Sequence, residues 1–393
     1  MKKIISAILM ISMLSISLVG CSSKKDTENE TEAVVQNNVE DKIAIVTEDK
    51  DENPDGYKAA EYISNIYKLK KENGFSNYII QHEVMPKDFT NEDDKANEII
   101  EKLSNDQDIK AVIFSSKKRG MLGYVNKLRE SRDDILVLGA DLNATDEELA
   151  DNLDLSYISN TVLNGKNTVQ LAKEMGAEAF ILYYSDKDLR DKGNLSKKIS
   201  EIESECELQN LTLDKVKVMD INSKEDEYKV KKFISEDINK KIYKYGYDIN
   251  LYGTNYTMDD VILKMAIKNT LTVAEVSDGC MANRMIDFYR IYRKTLDNGN
   301  FNGFTKYISD ESLKYEMNGR LGGIIMPIKI FTIYAAVDTA MAVIENDMDI
   351  TKAYNSYFIE KNIYEKEGLT AAFNRPDSGY KNIKIVSIDS IIY

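Results

Sequence analysis

The sequence predicts an α/β protein made of two doubly wound parallel-sheet lobes joined by a hinge. Three observations carry that expectation. Compact apolar runs of a few residues alternate with stretches whose apolar side chains recur every three or four positions. The runs are too short for helices and too uniformly apolar for a half-solvated sheet, so they read as parallel strands covered on both faces by crossover helices. The alternation restarts near the middle of a 393-residue chain, a length that suits two lobes better than one.

The elements follow in order. Lys2 and Lys3 precede an apolar run from Ile4 to Val19, and Gly20 leads into Cys21. That is the layout of a secretory signal over residues 1–20, near the short end for a membrane span. Residues 21–41 are polar and aperiodic and read as a flexible tether. Ile43–Val46 is the first strand. A helix opens at Pro54-Asp55-Gly56, carries Ala59, Ala60, Ile63, Ile66, Tyr67 and Leu69, and ends at Gly74. Strands at Tyr78–Ile80, Ala111–Phe114 and Ile135–Leu138 are separated by helices marked by Ala96–Leu103 and Met121–Leu128.

After Leu155–Ile158 a second series begins. Its strands are Ala179–Tyr183, Val216–Met219, Ile249–Tyr252 and Leu271–Ala274, and its helices are Ile199–Leu208, Val230–Ile242 and Met258–Lys268. Met285–Leu296 and Ile328–Ile344 read as helices with Leu321–Met326 extended between them, and Ile383–Ile392 as one or two late strands. The expected first lobe is 42–158 plus 285–346, and the second is 159–284 plus 347–393.

Charge and motifs exclude several functions. A net charge of −14 repels nucleic acid backbones, so no nucleic acid partner is expected. No Gly-x-Ser-x-Gly, P-loop or Gly-x-Gly-x-x-Gly is present. His82 is the only histidine, too few for a histidine-rich metal site. Asp49, Asp51, Asn53 and Asp55 alternate like calcium ligands, but Pro54 and Ala60 stand where an EF-hand needs glycine and glutamate. No metal or cofactor is expected, and the segment reads as a loop over a cleft mouth. Cys206 and Cys280 either pair or pack as small apolar residues.

Open α/β sheets bind ligands at the carboxyl ends of their strands. That rule nominates Thr47, Ser115, Ser116 and Asp141 from the first lobe, and Ser185, Thr254, Asn255 and Asp278 from the second. Plainer roles compete with these. Thr257 and Asp260 have the spacing of a helix-capping pair, Asp141 suits a turn, and Asp278-Gly279 is a turn signal. With no tryptophan and 24 tyrosines, stacking on a ring falls to tyrosines near strand ends, such as Tyr57, Tyr124, Tyr184 and Tyr256.

Leu18-Val19-Gly20-Cys21 resembles the lipobox of bacterial lipoproteins, which implies an acyl anchor on Cys21 and an extracytoplasmic location at the cell envelope. Lys42–Thr47, Ile113–Ser116, Val137–Asp141, Ser159-Asn160-Thr161 with Gly165, and Tyr252–Asp260 are together similar to the type I periplasmic-binding-protein fold, and to a bacterial lipoprotein family of that fold. The resemblance implies a non-enzymatic receptor. Its ligand would be a small polar solute (sugar-, nucleoside- or amino-acid-like), and its partner a membrane permease of the ABC type. Two alternatives stay open: a receptor that signals to a membrane sensor kinase, and an extracytoplasmic hydrolase using a carboxylate pair.

Overall fold

A computed structural model describes residues 41–74, 76–91, 94–160, 163–277, 281, 284–285 and 301–393. The first series runs β1 (Lys42–Thr47), α1 (Pro54–Glu72), β2 (Ile79–Val84), α2 (Asp94–Asn105), β3 (Ile109–Ser115), α3 (Met121–Ser131), β4 (Leu136–Ala140), α4 (Asp146–Asn152) and β5 (Leu155–Ser159). The second runs α5 (Leu163–Glu174), β6 (Ala179–Tyr184), α6 (Asp186–Asp191), α7 (Leu195–Leu208), β7 (Thr212–Lys217), α8 (Lys224–Tyr245), β8 (Ile249–Gly253) and α9 (Tyr256–Asn269). The chain closes with α10 (Phe301–Lys314), β9 (Gly322–Gly323), α11 (Ile328–Glu345), α12 (Ser356–Glu367), β10 (Ala371–Asn374), β11 (Ile383–Ile388) and β12 (Ile391–Ile392).

Strand alternation explains why both faces of each sheet are covered. Ile43 and Ile45 of β1 enter one apolar core while Ala44 and Val46 enter another. β3 repeats this with Ala111 and Ile113 against Val112 and Phe114. In β6, Ala179, Ile181 and Tyr183 face one core, and Phe180 and Leu182 the other. Neither side can be left to water, so helices must flank both.

The first sheet has the order β10-β11-β5-β4-β3-β1-β2, parallel except where β10 meets β11. The second has the order β7-β6-β8, all parallel. The sequence expects a full strand at Leu271–Ala274. Instead, Thr272 bridges Asn250 and Val273 bridges Leu321 as isolated contacts. The ladder stops because the Ala274 N–H donates to the Asn250 side chain at 2.8 Å rather than to a neighbouring strand. β7 begins earlier than its apolar residues suggest, since this edge strand carries Asp214 and Lys215 within its pairing to β6.

The division of the chain also departs from expectation. Residues 347–393 are expected in the second lobe, yet β11 pairs with β5 and brings β10 into the first sheet. Conversely, Leu321 bridges Val273, and β9 pairs with β12 in a two-stranded sheet of their own, so this stretch ahead of α11 lies with the second lobe. The chain therefore crosses after β5, returns between β9 and α11, and crosses once more between β11 and β12. Gly323 marks one of these passages. Its φ is +137°, and a Cβ there would meet the Glu275 carboxylate at 2.7 Å.

α11 is apolar on nearly every side and buried from Phe331 to Val343, against α1, β3, β4 and β5. Its two buried threonine hydroxyls find partners there: Thr339 Oγ1 lies 2.6 Å from Tyr157 Oη, and Thr332 Oγ1 lies 3.2 Å from the Asp141 carboxylate. Among the described residues, no helix is long and apolar enough to cross a membrane.

Truncating a fully enclosed β3 side chain tests this packing. Phe114→Ala should cost about 3–5 kcal/mol, read as a lower urea midpoint with an unchanged slope.

Candidate functional site

A cavity of about 420 Å³ opens between the two lobes. Asp55, at the start of α1, and Pro327, Ile328 and Lys329, at the start of α11, form its first-lobe wall. Asn164, Lys192, Lys198, Tyr252, Thr254 and Ser277 face them from the second lobe. Thr254 directly follows β8, so the cavity sits at the carboxyl end of a parallel strand. Its volume falls in the range of about 300–1,000 Å³ usual for small-molecule sites.

Of the residues nominated from the sequence, Thr254 lies on this wall. Its hydroxyl donates to Asp188 at 2.6 Å, and the Asn255 amide donates to the same oxygen at 2.7 Å. Lys192 Nζ donates to the Thr254 carbonyl and lies 4.0 Å from the other Asp188 oxygen. Ser185 caps α6 by accepting the Asp188 N–H. Asn255 caps α9 by accepting the Met258 N–H, a role the sequence suggests for Thr257. Asp260, the other half of that expected pair, bonds to Lys231 and Lys264 instead.

The first-lobe nominees hold the strand ends in place. Asp141 has φ +54° and follows β4. Its carboxylate accepts the Ser159 N–H at 2.7 Å and the Thr332 hydroxyl, joining β4 and β5 to the first turn of α11. Burial pushes this carboxyl above its ordinary value, against the Ser159 hydrogen bonds and the charge of Lys329. Asp141 thus stands behind Lys329, which is on the cavity wall. Ser115 is buried at the end of β3. Ser116 closes a turn on Lys118, accepting from its N–H and donating to its carbonyl. Glu48 fastens that turn to β1 by accepting the Lys117 and Lys118 N–H groups, each at 2.9 Å.

The Thr47 hydroxyl donates to the Glu48 carbonyl at 3.0 Å, so His82 Nε2–H donates to Thr47 at 2.7 Å. Tyr57 packs edge-on against that ring, with centroids 4.9 Å apart. Burial lowers the His82 pKa to about 4. In the acidic loop, Lys87 pairs with Asp49 and Asp51, Lys118 pairs with Glu52, and Asn53 caps α1. Asp278, Cys280 and Cys21 lie outside the described residues. Cys206 is a free, buried thiol, pushed up to about 12 by burial.

Behind the second-lobe wall sits a charged cluster that no sequence motif announces. Asp259 accepts from the Ser277 N–H and hydroxyl and lies 3.3 Å from Arg284, whose guanidinium stacks 3.5 Å above the Tyr256 ring. Glu275 accepts the Val276 and Ile324 N–H groups, each at 2.9 Å. Lys198 Nζ lies 5.0 Å from the centre of the Tyr252 ring. Burial works against its ammonium, but the Tyr252 hydroxyl and the Glu275 and Asp259 carboxylates outweigh this and raise its pKa. Gly165 allows the close packing of α5 and α7 that sets Lys198, since a Cβ there would meet the Lys198 carbonyl at 2.5 Å. Asp188 is legible in hindsight, because Ser185 and Asp188 have capping spacing. Lys198 and Asn164 carry no comparable signal.

Comparison with known proteins places the chain. Residues 42–322 match the model of a protein family of unknown function, DUF3798. The chain belongs to this family. A crystal structure from Clostridium difficile 630, described as a candidate transcriptional regulator, is 30% identical to this DUF3798 member and superposes with a TM-score of 0.80 over 90% of this chain and 99% of that one. A sugar ABC transporter structure from Actinomyces odontolyticus ATCC 17982 is 9% identical, with a TM-score of 0.50 over 91% of this chain and 96% of that one. The architecture of this DUF3798 protein is accordingly the two-lobed α/β fold of type I periplasmic binding proteins. No curated protein matches the chain.

His82 gives this family member a pH signature. Its pKa of about 4 in the fold lies below the ordinary 6.5, so the unfolded chain takes up the proton first. Its contribution is complete above pH 6.5 and is lost as pH falls toward about 4. The stability gap between wild type and His82→Gln, followed by urea unfolding, should be constant above that window and move against the wild type within it.

Proposed function

We propose that the protein is a receptor that closes its two lobes on a small polar solute and delivers it to a membrane permease of the ABC type. The observation that carries this reading is the cavity walled from both lobes, with Asp55 and Lys329 on one side and Asn164, Lys198 and Thr254 on the other. A ligand there loses water hydrogen bonds and regains them from side chains and backbone groups of both lobes. Closure is then stabilised by contacts that exist only when the lobes meet. The likeness to a sugar ABC transporter structure is one of fold, and the binding role is argued from the cleft.

The description of the Clostridium difficile relative suggests control of transcription as a second reading. A net charge of −14 opposes it, because DNA binding needs cationic side chains set against phosphates. We further propose that Cys21 carries an acyl anchor that holds the receptor to the outer face of a membrane, with residues 22–41 as its tether. The support is the charged, then apolar, then small-residue order that leads up to this cysteine.

A thermal-shift screen of sugars, nucleosides and amino acids should find compounds that raise the melting temperature. A ligand at a hundredfold excess over its Kd adds about 2.7 kcal/mol of stability. Asn164→Ala should diminish the shift, and a flat response across the whole collection would count against the receptor. Cys21→Ser should move the expressed protein from the detergent phase to the aqueous phase on Triton X-114 partition; an unchanged partition would remove the anchor.

A further inference from the structure

The charged side chains on the cavity wall are mostly cationic. Lys192, Lys198 and Lys329 stand on it against one carboxylate, Asp55, in a chain whose overall charge is strongly negative. The acids behind the wall are already engaged. Asp188 accepts from Thr254 and Asn255, Glu275 from two backbone N–H groups, and Asp259 from Ser277 with Arg284 beside it.

Two side chains keep hydrogen-bonding capacity to spare. Lys198 is nine-tenths buried and has no carboxylate within ion-pair distance among the described residues; its near neighbour is the Tyr252 ring. Asn164 is buried to the same degree, and its side-chain amide has no hydrogen-bond partner among the described residues. Both line the cavity, where a ligand or water can complete them.

Two helices also begin on this wall. α7 starts after Asn194 and α11 after Pro327, and neither first turn receives a hydrogen bond from a capping side chain. Uncapped N–H groups and the positive end of each helix dipole favour an anion at that point. One start belongs to each lobe, so a negative group between them draws on both.

We propose that the solute is anionic, with a carboxylate or phosphate group seated between Lys198 and the start of α7 on one lobe and Lys329 and the start of α11 on the other. Asn164 and Asp55 take its hydroxyl or amine groups. This rests on the cleft being the ligand site, as proposed above. It narrows that reading to acids, whose charge-assisted hydrogen bonds are roughly twice as strong as neutral ones.

The test is a thermal-shift comparison of matched neutral and acidic compounds on the full-length protein. The sets are glucose, glucuronate and a glucose phosphate; uridine and uridine monophosphate; glutamine and glutamate. Stabilisers confined to the acidic members are expected, with glucuronate against the phosphate ester separating the two anion types. Lys198→Met and Lys329→Gln should each weaken calorimetric binding of the best acid by about tenfold or more, the loss of one charge-assisted contact. Lys329 is partly exposed, so its variant keeps the question open to measurement if Lys198→Met does not fold. Neutral members that stabilise as well as their acids, with affinity unchanged in Lys329→Gln, would overturn the anion assignment and leave the receptor standing. No stabiliser among neutral or acidic members would overturn both.

Discussion

Burial of one helix organises the cleft. α11 is enclosed by β3, β4, β5 and α1, and each large side chain it buries contributes about 1.5–3 kcal/mol relative to exposure. A helix held this way cannot slide without opening voids in a close-packed interior. Its first turn is therefore a fixed part of the first lobe. Lys329 and the backbone N–H groups beside it arrive at the cavity with their direction already set, and Asp141 reinforces that placement by joining the same turn to the ends of β4 and β5.

The second lobe solves the same problem with polar groups. Asp188 gathers Thr254, Asn255 and Lys192 into one network and ties the β8–α9 turn to α6. Glu275 does the equivalent for the passage at Gly323, taking the Ile324 N–H where the chain leaves for α11. In both lobes buried carboxylates brace the loops behind the wall, and Lys198 and Lys329 stand on the wall itself.

Much of the fold was legible in the sequence, and the reason is local. β1, β3, β4 and β6 are covered on both faces, so their apolar runs stand out without knowledge of partners. β7 blurred because an edge strand tolerates Asp214 and Lys215. Lobe membership of the last residues was not legible, because Ile383–Val386 pair with Ser156–Ser159 far back along the chain. At the cleft, the strand-end rule found the right level of the molecule and one lining side chain, Thr254, but not Asn164, Lys198 or Lys329 beside it. Thr47, Ser116 and Asp141 are polar strand-end residues occupied by neighbours. Lys198 lies within α7 and Asn164 within α5, where nothing in their spacing distinguishes them from solvated helix residues.

The paired helix starts have a consequence for the vacant molecule. Their partial positive charges point toward the same volume of water from opposite banks, and moving the banks together concentrates like charge in a shrinking gap. The energy of a vacant, shut conformation rises accordingly, while water between the open banks screens the repulsion. If the solute is the anion proposed above, the shut conformation would be reached at ease only with that negative cargo aboard.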